Sequence, residues 1–325
     1  MGGVPYIVLA LLGGGLALTV ATALWYLQTH RPLSEAPGVS RLPGVSAQRA
    51  APPFLFAIYG LEKPIGVAVS PDGRTVYGAE SEGQHLVHAF DRSGKEVATL
   101  APPDSTPAQR RPAYLAVGPG GKLYVSDLLR NEVDIFGPDG GYQGVLRPSG
   151  LESSLWQPLA LAFDRSGTLY VTETTPGQHR ALAMDADGRV KAQFGREGKG
   201  PGELSFPNGL AVDGKGLVYV SDSSNSRMQV LDPRSGFTSV FQKPEGFSMP
   251  RGAGVDGDRL YVADTVGDSI SVFALESAPR YLYSFGDEGR ADGRFLYPEG
   301  LAIDPSGRVY VADRENNRIQ VFGYQ

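Results

Sequence analysis

The sequence predicts an all-β chain that closes into a six-bladed β-propeller of four-stranded antiparallel blades, preceded by one transmembrane helix. Three observations lead there. A motif beginning at proline recurs six times, at Pro64, Pro112, Pro158, Pro207, Pro250 and Pro298, with a near-constant spacing. Each unit is punctuated by Gly- and Pro-containing turns into four short alternating segments, and a unit of that size cannot bury its own apolar faces alone. The last unit stops after its third segment, "IQVFGYQ", while a spare one, "FLFAIYG" (Phe54 to Gly60), precedes the first. The N-terminal strand therefore completes the last blade and ties the ends of the chain together.

Composition agrees with this. With 325 residues, 41% hydrophobic, the chain can bury a core, and its 43 glycines and 25 prolines suit many turns. The absence of cysteine removes disulfides, thiolate nucleophiles and cysteine metal sites. A net charge of −5 offers no basic field, so no nucleic-acid partner is expected.

The first 29 residues contain no charged side chain, and Val4 to Leu27 is apolar enough and long enough to cross a hydrocarbon core of about 30 Å. Trp25 and Tyr26 stand where an interfacial aromatic belt belongs. "ATA" at Ala21 to Ala23 offers a signal-peptidase site as the rival reading, but a basic n-region is missing and the apolar run continues past it. The expectation is an uncleaved single-pass anchor over residues 1–29 in the cell membrane. Arg31 and Arg41 on its C-terminal side argue for a cytoplasmic domain, the very short N-terminal tail for an extracytoplasmic one; the latter is the expectation. Residues 30–52, rich in Pro, Ser and Ala without apolar period, form a linker, and residues 53–325 the propeller.

Within a unit the strands read "GLAID", "RVYVAD", "RIQVFG" and a fourth such as "RYLYSFG". The pattern "PxGLAVDxxGxVYVADxxNNRIQVF", together with the connectors "FGREGKGPGELSFP" and "FGDEGRADGRFLYP", resembles the NHL repeat, a family that forms six-bladed β-propellers. The resemblance covers residues 53 to 325 and is most specific in blades four and six. Blade one departs most, with Gly78 in its second strand and the short entry "YGLEKP"; blade two lacks the loop arginine.

A ring of equivalent positions supplies an internal test, because what recurs in every blade belongs to construction. Tyr77, Tyr124, Tyr170, Tyr219, Tyr261 and Tyr310 recur in the second strand and are expected to pack between blades. Ala68, Ala116, Ala162, Ala211, Gly254 and Ala302 keep the innermost strand small. Glu80, Asp127, Glu173, Asp222, Asp264 and Asp313 close the second strand; one acid per blade favours satisfying loop donors over a metal.

The residue after each proline breaks the pattern. It is Ile65, Ala113 and Leu159 in the first three blades, then Asn208, Arg251 and Glu299. These positions share one end of the channel, so half of its mouth is apolar and half polar. Asn208, Arg251 and Glu299 are the ligand-binding candidates, fit to orient a polar ligand or a peptide group. The alternative is that Arg251 and Glu299 pair across adjacent blades.

Catalytic constellations are sparse. His85 and His179 fall in the same loop of non-neighbouring blades and His88 on a third strand, so they do not share a zinc. Resemblance to calcium-dependent propeller lactonases implies channel-facing Glu, Asn and Asp; only Glu299 and Asn208 match, as weak candidates for calcium. No G-x-S-x-G elbow or P-loop is present. The reading is a membrane-anchored binding or scaffold module for a protein, peptide or glycan. The alternative is a metal-dependent (Ca or Zn) lyase or hydrolase at the channel mouth.

Overall fold

The computed structural model describes residues 51–151 and 155–323, which form six four-stranded antiparallel sheets. The first strand, β1 (Phe54–Tyr59), belongs to the last sheet and not to the first. Blade one contains β2 (Pro64–Val69), β3 (Thr75–Glu80), β4 (Val87–Asp91) and β5 (Glu96–Leu100). Blade two contains β6 (Pro112–Val117), β7 (Leu123–Asp127), β8 (Glu132–Phe136) and β9 (Tyr142–Leu146). Blade three contains β10 (Pro158–Phe163), β11 (Leu169–Glu173), β12 (Arg180–Met184) and β13 (Val190–Phe194). Blade four contains β14 (Pro207–Val212), β15 (Val218–Asp222), β16 (Arg227–Asp232) and β17 (Gly236–Phe241). Blade five contains β18 (Pro250–Asp256), β19 (Arg259–Asp264), β20 (Ser269–Leu275) and β21 (Pro279–Phe285). Blade six has only β22 (Pro298–Ile303), β23 (Val309–Asp313) and β24 (Arg318–Phe322) of its own.

β1 completes it. It pairs antiparallel with β24, Ala57 opposite Gln320 and Ile58 opposite Ile319, and the Phe54 ring meets Phe322 edge-on at 5.9 Å. The expected closure is therefore present, and the ring cannot open without unpairing a sheet. The expected membrane anchor and most of the linker lie outside the described residues. Among the described residues, no helix is long and apolar enough to cross a membrane.

Innermost strands of neighbouring blades meet backbone to backbone, which dictates glycine two residues after most of the prolines. A Cβ on Gly300 would stand 2.5 Å from the Ile65 carbonyl oxygen, and one on Gly252 2.3 Å from that of Glu299. The second-strand tyrosines are buried as expected; Tyr219 donates to Asp213 at 3.1 Å and Tyr310 to Asp304 at 3.2 Å. Gly78, anomalous in the sequence, has a local cause: a Cβ there would strike Leu61 and Ile319.

The six acids build loops. In every blade the acid lies directly opposite the proline that opens the first strand, as Asp313 lies opposite Pro298. Asp313 accepts from the Leu296 amide at 2.8 Å, from Asn316 at 2.9 Å and from Arg318 Nε at 2.8 Å. Every acid also meets a basic side chain: Glu80 His88, Asp127 Arg130, Glu173 Arg180, Asp222 Arg227, Asp264 Lys243 and Asp313 Arg318. Blade two thus has its loop arginine after all. Arg130 follows its acid by three residues rather than five: the loop has the same length and the same left-handed Asn as in blade six, but Arg130 stands where blade six has Asn316, and Glu132 where it has Arg318.

Blade one substitutes a histidine, held between Glu80 at 3.2 Å and Glu96 at 2.7 Å. Burial disfavours its protonation, but the two flanking carboxylates outweigh burial and raise its pKa above the ordinary 6.5. A raised folded-state pKa means that protonated His88 stabilises the fold in full below about pH 6.5, and that this contribution fades as pH climbs through the raised value. Melting curves between about pH 6 and about pH 9 should show the wild-type advantage over His88→Gln shrinking with rising pH. A constant difference would contradict this account. Gly300→Ala should lower stability by about 1–3 kcal/mol in chemical denaturation, because the new methyl must displace the neighbouring blade's backbone.

Candidate functional site

The strand order places the residue after each proline around one end of the channel, beside the loop that follows the second strand. On the apolar half Ala113, Tyr114 and Leu159 form a buried cluster with Ile65 packed against it. On the polar half Arg251 and Glu299, from adjacent innermost strands, are joined: Arg251 Nη1 donates to both carboxylate oxygens at 2.7 Å. Glu299 is only 1% exposed. The cross-blade pair is therefore real, and the carboxylate is not presented to solvent. Asn208 is half-buried and makes no side-chain hydrogen bond within the described residues.

Two further residues belong to the mouth. Arg314 opens the short 3-10 turn Arg314–Asn316 after β23, and its Nη1 comes within 3.7 Å of Glu299. Tyr114 stands two residues after Pro112, where four blades have glycine, and its phenol lies in the field of Glu299 and Arg251. Both carried the same signal as Glu299, disagreement with the repeat, at positions one residue beyond those compared. Burial pushes the Tyr114 hydroxyl pKa up, and the Glu299 charge adds to that. Burial likewise pushes the Glu299 carboxyl above its usual range, against the pull of Arg251 and Arg314. Below the mouth, the channel narrows to a cavity of about 40 Å³ lined by Tyr114, Leu115, Leu161, Leu210 and Leu301 among others, room for a few waters at most.

The mouth does not fit a calcium or zinc ion. Both oxygens of Glu299 are taken by Arg251, a second guanidinium stands beside them, and among the described residues no group of three His, Asp or Glu side chains is placed to hold a metal.

Apolar exposure is lopsided. Among the described residues, Tyr59, Leu128, Leu129, Leu155, Phe206, Val266 and Tyr297 lie in segments at the channel-mouth end, while only Val97 and Phe237 of the large exposed hydrophobics lie elsewhere. Phe206 and Tyr297 precede prolines and adopt left-handed backbone, φ 47° and 54°, a conformation unusual for bulky residues. Hydrogen bonds from neighbouring blades hold them there: the Tyr297 amide donates to Asp268 at 2.7 Å and the Phe206 amide to His179 at 3.3 Å. Both rings stay about half exposed at the rim, that of Phe206 lying against His179 at 4.7 Å.

Comparison with known proteins agrees with this architecture. The NHL repeat family matches residues 204–231 and 295–322, in blades four and six. The human NHL repeat-containing protein 3 is 27% identical over 179 residues, 51% of this chain and 49% of that protein. The E3 ubiquitin-protein ligase TRIM71 of Bos taurus is 56% identical over 39 residues, 12% of this chain and 4% of the ligase. The chain thus spans half or less of the length of these relatives. A gluconolactonase from Xanthomonas campestris superposes with a TM-score of 0.63 at 17% identity, covering 85% of this chain and 96% of that one, a likeness of fold alone.

A double-mutant cycle on Arg251→Met and Glu299→Leu should return a coupling of about 1–3 kcal/mol, because either single change strands its buried partner and the double change removes both. Additive single effects in urea unfolding would show that the pair is not coupled.

Proposed function

The chain is an NHL-repeat β-propeller, and on that premise we propose that it is a non-catalytic binding module that takes a protein or peptide partner at the channel-mouth end. The observation that carries this is the gathering of exposed apolar side chains at that one end. Patches of this kind on a rigid scaffold mark protein contact, and the aliphatic Leu128, Leu129, Leu155 and Val266 suit a protein better than a glycan, which aromatic faces and polar groups recognise. Residues 1–29 hold the module at the cell membrane, with the propeller extracytoplasmic.

The second reading, a metal-dependent lyase or hydrolase at the channel mouth, draws support from the fold shared with a gluconolactonase. Against it stands the commitment of Glu299 to Arg251.

Detergent-solubilised full-length protein should capture a specific protein partner. Capture should be lost in the combined Asn208→Ala, Arg251→Ala, Glu299→Ala variant and in Leu128→Ser with Leu129→Ser, whose surface changes leave the fold intact. Unchanged capture by both would overturn the site. Elemental analysis finding stoichiometric calcium or zinc that depends on Glu299 would favour the enzyme instead. Digestion of the propeller by protease added to intact cells is the expected sign of its orientation; protection would reverse it.

A further inference from the structure

The channel mouth holds unequal charge. One buried carboxylate, Glu299, stands against two guanidinium groups, Arg251 at 2.7 Å and Arg314 at 3.7 Å. Glu315 approaches Arg314 Nε from outside at 3.8 Å, but it is a third exposed and also serves Lys63 at 3.5 Å, which in turn pairs with Glu82 at 3.0 Å. That outer chain, two carboxylates to one ammonium, is exposed enough for water to screen its surplus negative charge. The inner trio, with Glu299 buried, carries one net positive charge.

The hydrogen bonds show the same deficit. Arg251 spends Nη1 on Glu299, points Nη2 at the Met249 sulfur at 3.4 Å and has the Tyr114 hydroxyl beside it, while its Nε is buried without an acceptor. Arg314 Nε is buried without a hydrogen-bond acceptor as well. Buried donors without partners are rare in folded proteins, and two on neighbouring cations mark a place shaped for an anionic acceptor. A planar guanidinium offers paired N–H groups that match the two oxygens of a carboxylate. Beside them lies the wall of Ile65, Leu159 and Tyr114, which would cover an apolar body attached to that carboxylate.

Building on the reading that this end is the binding face, we infer that Arg251 and Arg314 form a carboxylate subsite, which takes an acidic or C-terminal group of a peptide with its apolar side chain laid on Ile65, Leu159 and Tyr114. Glu299 is then the internal counter-ion that holds Arg251 in position, and the ligand supplies the second negative charge.

The test follows the arginine Nε–H resonances of ¹⁵N-labelled full-length protein during titration with N-acetyl-leucine, N-acetyl-leucinamide or inorganic phosphate. N-acetyl-leucine should shift two of these signals saturably. The amide, which lacks the charge, and phosphate, which lacks the apolar body, should each bind about tenfold more weakly or less. Arg314→Gln should remove the response while Arg251 still holds Glu299, and Arg314→Lys, which keeps charge without Nε, should restore it only in part. Equal response to the amide, binding of phosphate as tight as that of N-acetyl-leucine, no saturable shift, or an undiminished response in Arg314→Gln would each overturn the subsite. A protein partner that still binds wild type and Arg314→Gln alike would overturn the subsite alone and leave the protein-binding reading standing.

Discussion

Each blade hangs on one buried carboxylate and its basic partner. In blade six Asp313 gathers the Leu296 amide of the incoming connector, the Asn316 amide of its own loop, and the side chains of Arg318 and Gln320 from the next strand. Arg318 extends the bond further, donating to the carbonyls of Ala291 and Arg294. A carboxylate left in such a place without its donors would be costly, so the loop, the connector and the third strand are fixed together or not at all. The same node recurs in blade four, where Asp222 accepts from the Ser205 amide, Arg227 and Gln229.

Because the nodes fix the loops, the residue after each proline is held at the rim of the channel whatever its identity. That position is free to vary chemically while the backbone beneath it stays constant, which is the arrangement that lets a rigid scaffold carry a specific surface. The glycines next to it tighten the constraint. With the Gly300 backbone against Ile65 and the Gly252 backbone against Glu299, the mouth has little room to relax around a new side chain. Tyr114, the large exception among those positions, fills the top of the channel and turns the pore into a floor.

The sequence was informative wherever geometry repeats six times. The proline, the tyrosine, the small inner residue and the acid could each be read because five copies vouched for the sixth, and the missing strand at the C-terminus foretold the role of Phe54–Tyr59. The Arg251–Glu299 pair was legible as one of two alternatives, since the residues stand at equivalent positions of adjacent blades. What escaped was contact between positions that do not repeat. Arg130 sits three residues from its acid, Arg180 seven, and Lys243 arrives from the preceding blade, so no fixed spacing announces their common role. Arg314 and Tyr114 broke the pattern one place away from the positions compared. The exposure of Phe206 and Tyr297 depends on left-handed backbone imposed by neighbouring blades, which no local pattern encodes.

The clasp between β1 and β24 also sets how the molecule carries load. β1 begins at Phe54 beside Phe322, at the end of the ring opposite the channel mouth, and runs along β24 toward Tyr59 and Arg318 at the mouth end. A pull on Phe54 away from the ring, opposed at the mouth end, would be directed along the strand axis. The hydrogen bonds between β1 and β24 then resist together in shear, rather than parting one after another as a peeled edge would. A propeller closed by its own first strand thus resists opening under a force applied along that strand.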